Sequence, residues 1–423
     1  MQPTKAKGAA AMSSSRADAD DEASSGGKAS GVASAGGAID ELPLHLTEKI
    51  LHSFSPLASA RLATVCKSWA TAVSDRLARP VPHLFVYLPA DITKSDRRGI
   101  VVSVSLDLDT VCPPAATVIP NRVLLADTNG LRCIGAMPSG CLAFENPWRC
   151  DTRVLLVNPI TGALQTIDVD KLRRNPVIAA SGGADSFVCH GPGGLELWRQ
   201  AGGGDEWSKL PVAAVALRTD GIVSVANCNG RFYILDRDGQ VSLIDAAAPP
   251  PLRVEKLPVA SLFGQFARPC PAAVAPAAQG HLLGSDGEVL FVRRVLGFKK
   301  AGEDVELCNH DAAEADLLPV VGFEVYRLDV KERRWKEVKK LGSNRSLFVS
   351  PRSAFAVRSS ETEGCRANCI YFVDKKRYCP LCNLDDGNTW GVYSMEDREV
   401  LFKHSVTGKG PCSEAMWFLP RVG

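Results

Sequence analysis

At Pro80 and Pro82 the hydrophobic rhythm of this 423-residue chain changes, and that change restricts the fold more than any other feature. From Asp40 to Arg79 apolar residues recur at helical spacing. Leu46, Ile50, Leu51 and Phe54 make one stripe, and Leu62, Val65, Cys66, Trp69, Val73 and Leu77 make another. Ser55-Pro56 separates them, because Ser is a favoured N-cap and Pro at the first helical position gives up an N–H that would be unpaired there anyway. Two or three short helices are expected, stopped by Pro80 and Pro82.

From about residue 83 the pattern is short apolar runs between turn residues, as in all-β domains. Arg231-Phe232-Tyr233-Ile234-Leu235-Asp236 is apolar on both faces, and Asp238-Gly239 turns it into Gln240-Val241-Ser242-Leu243-Ile244-Asp245. Similar units start at Val154, turning at Asn158-Pro159-Ile160-Thr161-Gly162; at Leu195, returning at Trp207; and at Phe323, returning at Trp335. The starts at 154, 195 and 231 lie 41 and 36 residues apart, near the spacing of a propeller blade. On that spacing the β region holds six or seven blades, with a large β-sandwich or a split β domain as alternatives.

The helical segment is short for its apolar content. Some forty residues cannot bury that much surface among themselves, so a partner must cover part of it. Leu42-Pro43-Leu44-His45-Leu46-Thr47-Glu48-Lys49-Ile50-Leu51, followed at fixed distance by Leu62-Ala63-Thr64-Val65-Cys66-Lys67-Ser68-Trp69, resembles the F-box; His45 and Ala70 depart from its usual pattern. The resemblance implies that Leu42, Pro43, Leu46, Ile50, Leu51, Leu62, Val65, Cys66 and Trp69 bind the adaptor subunit that links to a cullin.

A second resemblance lies in Gly342-Ser343-Asn344-Arg345-Ser346-Leu347-Phe348-Val349, Asn368-Cys369-Ile370-Tyr371-Phe372-Val373-Asp374 and Gly391-Val392-Tyr393-Ser394-Met395-Glu396-Asp397, together with Asn158-Pro159-x-Thr161-Gly162. It is to a plant F-box family whose C-terminal domain, of unknown function, is propeller-like. The expected architecture is therefore mainly β: a disordered tail at 1–38, an F-box at 39–80, and a six- or seven-bladed, kelch-like propeller at 84–420. The tail reading rests on composition. Residues 1–38 hold 24 Ala, Ser or Gly, too little apolar surface to offset chain entropy.

Other chemistry finds little support. With 49 basic against 47 acidic residues, no net field draws the chain to nucleic acid or to an anionic membrane. No apolar run approaches the roughly 18 to 20 residues of a membrane span. Cys365, Cys369, Cys379 and Cys382 have thiolate types suited to zinc, but the apparent strand from Ile370 to Val373 interrupts the set, so no metal and no cofactor is expected. Asp236-Arg237-Asp238-Gly239 starts like a calcium loop, yet its twelfth position is Ala247. Asp385-Asp386-Gly387 reads as a solvated turn, and Gly408-Lys409-Gly410-Pro411 lacks the spacing of a phosphate loop. Lys331 to Lys340 carries six positive charges around Trp335, and reads as the solvated edge of a hairpin.

The expected function is that of a non-catalytic substrate-recognition subunit of an SCF-type ubiquitin ligase, working in the cytoplasm or nucleus. Its partners would be the adaptor, through it a cullin, and an unidentified target protein. A propeller enzyme with an accessory helical segment, and an F-box scaffold outside any ligase, are the alternatives.

Overall fold

The computed structural model describes residues 42–52, 62–63, 65–78, 81–88, 98–104, 115–118, 131–137, 139–145, 153–169, 177–180, 186–191, 194–200, 206–213, 221–267, 280–297, 320–374, 389–406 and 414–420, with Phe54, Ser59 and Leu106 as single positions. The expected tail, the Ser55-Pro56 break, Cys379, Cys382, Asp385-Asp386-Gly387 and Gly408–Pro411 lie outside these residues.

The change of period at Pro80 and Pro82 is a change of structure. Helices α1 (Leu44–His52) and α2 (Lys67–Ala78) precede it, and strands follow, starting at His83–Leu88. Five sheets of four or five strands are each built from one stretch of chain, at 132–168, 177–210, 212–256, 280–337 and 345–405. A sixth joins the two ends of the β domain: Glu414–Phe418 pairs antiparallel with His83–Leu88, which pairs in turn with Arg98–Ser103.

Six apolar clusters, one between each neighbouring pair of sheets, close these sheets into a ring. The closure is visible at the shared sheet. On one side Phe85, Met416 and Phe418 pack on Cys133, Leu142 and Phe144, and on the other Leu84, Val86 and Trp417 pack on Phe348, Tyr371 and Trp390. This is propeller architecture, in which each sheet is apolar on both faces because a neighbour covers each. It explains runs such as Arg231–Asp236, where Phe232 and Ile234 enter one cluster and Leu235 another. Near the axis backbones touch: a Cβ on Gly284 would lie 2.0 Å from the Asn227 carbonyl oxygen, so only glycine fits.

The expected hairpins form. Leu235 pairs with Val241 across the Asp238-Gly239 turn, Gln200 with Trp207, and Leu328 with Trp335. Asp236 Oδ1 accepts the Asp238 and Gln240 N–H groups at 2.9 and 2.8 Å, the turn-forming role expected of this hairpin.

The regular kelch-like repeat is corrected. Strands on the ring's inner side start at 132, 177, 222, 280, 353 and 414, so the interval varies between 45 and 73 residues, where a kelch repeat holds about 50. Moreover, the runs beginning near 154 and 195 are the third strands of their sheets, whereas Arg231–Asp236 is a second strand, so the 36-residue interval compared unlike elements. The spacing of the described strands is itself uneven, with Leu296 and Val320 ending and beginning successive ones.

Candidate functional site

The helical module has two apolar faces. The Pro43 carbonyl accepts the Leu46 and Thr47 N–H groups at 2.9 and 3.2 Å and so starts α1 immediately after the Leu-Pro pair. From there the helical period sends Leu46 and Ile50 outward and Thr47 and Leu51 inward.

Leu42, Leu44, Phe54 and Val65 are exposed as well. These six side chains keep between 36% and 63% of their surface exposed, an uncommon concentration for a soluble surface. The inward face is a small core in which Leu51, Trp69, Ala72 and Val73 are buried, with Leu62, Ala63 and Cys66 half-buried against them. Arg76 ties α2 to the chain just beyond α1, its Nη2 donating to the Phe54 carbonyl at 3.2 Å.

The nine residues expected at the adaptor interface therefore divide. Leu42, Pro43, Leu46, Ile50 and Val65 are exposed, whereas Leu51 and Trp69 are interior and Leu62 and Cys66 half-buried. Spacing alone groups Ile50 with Leu51, although consecutive helical residues point about 100° apart. Leu44 is the most exposed large apolar residue of the module, and spacing alone does not mark it.

The module also contacts the ring. Ile160, from a turn of the sheet at 132–168, is buried in the same small core as Leu51 and Trp69. Burial holds the Arg76 guanidinium below its ordinary range, opposed by the charge of Glu363, and the charge of Arg76 in turn acts on His83.

Elsewhere several strongly shifted groups are sealed between sheets. Burial pushes up the Cys189 thiol and the Tyr371 and Tyr326 hydroxyls. The Tyr326 hydroxyl donates to Glu324 at 2.8 Å, and Arg293 donates to the same oxygen at 3.0 Å, a neutralised buried pair of structural character.

Of the four cysteines considered for zinc, Cys369 is buried on its strand and pushed up to about 11 by that burial, and Cys365 is half-buried. Among the described residues no cluster of three metal-ligating side chains occurs, and no helix is long and apolar enough to cross a membrane. The basic run at 331–340 forms a hairpin edge. Lys336 pairs with Asp329 at 2.8 Å and also with Glu332, Arg334 pairs with Glu332 at 2.6 Å, and Trp335 faces inward.

The F-box domain model matches residues 39–77, and the KIB1-4 beta-propeller model matches residues 111–394. Among curated relatives, F-box protein At2g17690 of Arabidopsis thaliana is 38% identical over 87 residues, 20% of each chain. F-box protein At2g26160 of the same plant is 47% identical over 57 residues, 14% of this chain and 17% of that one. The matched stretch thus spans about a fifth of these relatives' length. Among solved structures, one from a nidogen/laminin complex covers 81% of this chain and 100% of its own, at 8% identity and a TM-score of 0.37. A functionally unknown protein of Desulfotomaculum acetoxidans covers 80% and 89%, at 9% identity and a TM-score of 0.39. Scores this low carry no argument.

Proposed function

The chain belongs to the plant F-box proteins that carry a KIB1-4 beta-propeller, and from that premise we propose that it is the substrate-recognition subunit of an SCF-type cullin-RING ubiquitin ligase. Residues 39–80 dock on the ligase's adaptor, which bridges to a cullin, and residues 84–420 hold the target protein. The observation that supports this reading most is the exposure of six large apolar side chains on the helical module, Leu42, Leu44, Leu46, Ile50, Phe54 and Val65. Apolar surface concentrated on so small a module is stable in water when a partner covers it.

The chain's own chemistry is recognition. Ubiquitin transfer is carried by the charged enzyme at the far end of the assembly, and this protein contributes by holding the target near it. The helical module sits at the end of the ring where the sheets turn at 158–163 and 359–368. That leaves the opposite end, which carries the 237–240 turn, to face the target. The cytoplasm and nucleus, where such ligases work, are the proposed compartments.

Affinity purification from cells treated with a proteasome inhibitor tests the reading. Adaptor, cullin and one or more proteins that accumulate under inhibition are expected together. Recovery of the adaptor without cullin would favour a scaffold outside the ligase.

A further inference from the structure

Ile160 belongs by sequence to the ring and by packing to the helical module. Its turn is rigid for local reasons. Asn158 Oδ1 accepts the N–H groups of Ile160 and Thr161 at 2.9 and 3.2 Å, and Thr161 Oγ1 accepts that of Ala163 at 3.2 Å. Gly162, at a φ of +78° that favours glycine, donates its N–H to the Asn158 carbonyl at 2.9 Å. Pro159 restricts its own φ. The result is five residues fixed around a single large apolar side chain, displayed at the tip.

Such a tip normally faces water, yet Ile160 is 4% exposed. Its neighbours on the strand, Val154, Leu156 and Val157, pack between sheets, while Ile160 alone enters the cluster of Leu51, Trp69, Ala72 and Val73. The charge of Glu363, from the ring, also acts on Arg76 of the second helix.

We propose that the turn at 158–162 is a built-in plug that completes the core of the F-box, so that the ring folds and holds the adaptor-docking face before any adaptor is present. The helical module is too short to bury a sufficient core by itself. Its inward side chains need a further apolar group, and Ile160 is that group, delivered on a backbone that loses little entropy on docking. Because Leu46 and Ile50 lie on the same helix as Leu51, seating Leu51 against Ile160 sets the rotation of α1 and thereby the outward face. A docking face that exists before binding loses no affinity to its own ordering. This rests on the reading above for the partner's identity, but not for the plug itself.

The test uses the full chain and two readouts: hydrogen exchange of the amides of α1 and α2, and affinity for purified adaptor. Ile160→Asp should lower amide protection across 44–52 and 67–78 by at least tenfold, leave protection of the 222–256 strands unchanged, and weaken adaptor binding by about tenfold or more. Ile160→Val should keep both near the parent. Ile160→Ala, which buries no charge, serves as the second variant and should fall between them. Protection of the two helices unchanged in both Ile160→Asp and Ile160→Ala would overturn the proposal. If the parent chain does not bind adaptor while Ile160→Asp still loses helix protection, the ligase reading fails and the plug stands.

Discussion

Trp417, on the last strand, lies opposite Leu84, on the first strand of the β domain, in the register that joins the two ends of the ring. Its indole is fully buried, edge-on to Phe348, Trp390 and Tyr371, and its backbone is held by Ser350 and Ser353 of the neighbouring sheet. Replacing so large a buried ring by Ala leaves a cavity costing about 3 to 5 kcal/mol. Trp417→Ala should lower Tm by roughly 4 to 7 °C, measured by calorimetry, and truncation after residue 413 should abolish the cooperative transition.

The division of the helical module into two faces predicts two classes of variant. Leu46→Asp with Ile50→Asp changes only exposed side chains, so the chain should stay folded by circular dichroism while adaptor binding is lost; a truncated interface anchor costs about 2 kcal/mol or more. Trp69→Ala and Leu51→Asp strike the interior, and should lose helix signal and adaptor binding together. Normal binding by the folded double variant would place the interface elsewhere.

A fragment starting at residue 81 keeps the first strand that pairs with Glu414–Phe418, and should unfold in one cooperative step. A fragment starting at residue 90 lacks that strand and should not. The difference is read by near-ultraviolet circular dichroism during heating. In cells the longer fragment, able to hold a target but not the ligase, should lengthen the target's half-life.

Stability should fall in mild acid through His83. Burial holds its imidazole at about 4 and the charge of Arg76 adds to that, outweighing the hydrogen bond that Nδ1 donates to the Val81 carbonyl at 2.5 Å, which favours the charged form. The unfolded value is about 6.5. Above that pH both states are neutral and nothing is lost; as pH falls toward 4 the unfolded chain takes up a proton that the native state refuses, a loss of about 2 kcal/mol at pH 5. The denaturation midpoint in urea should drop between pH 7.5 and pH 5, and by less in His83→Gln.

What the sequence disclosed was local. The Leu42-Pro43 opening and the Cys66-to-Trp69 end occupy one short stretch, and Asp238-Gly239 fixes its hairpin through chemistry within five residues, so both were legible. The sense of each apolar residue was not, because Ile50 and Leu51 share composition and differ only in direction. The kelch-like period failed for a related reason: a second strand and two third strands look alike when every strand is covered on both faces. Ile160 was visible as part of Asn158-Pro159-x-Thr161-Gly162, but its burial partner Trp69 lies 91 residues earlier, and no nearby signal links them.

The account stands most directly on a reconstitution. The purified chain, adaptor and cullin are mixed and run on a sizing column with mass measured in line. A single complex containing one copy of each is predicted, together with its loss in Leu46→Asp with Ile50→Asp while that variant still elutes as a folded monomer. Separate elution of the folded parent chain and the adaptor would contradict the assignment of this protein as a ligase subunit.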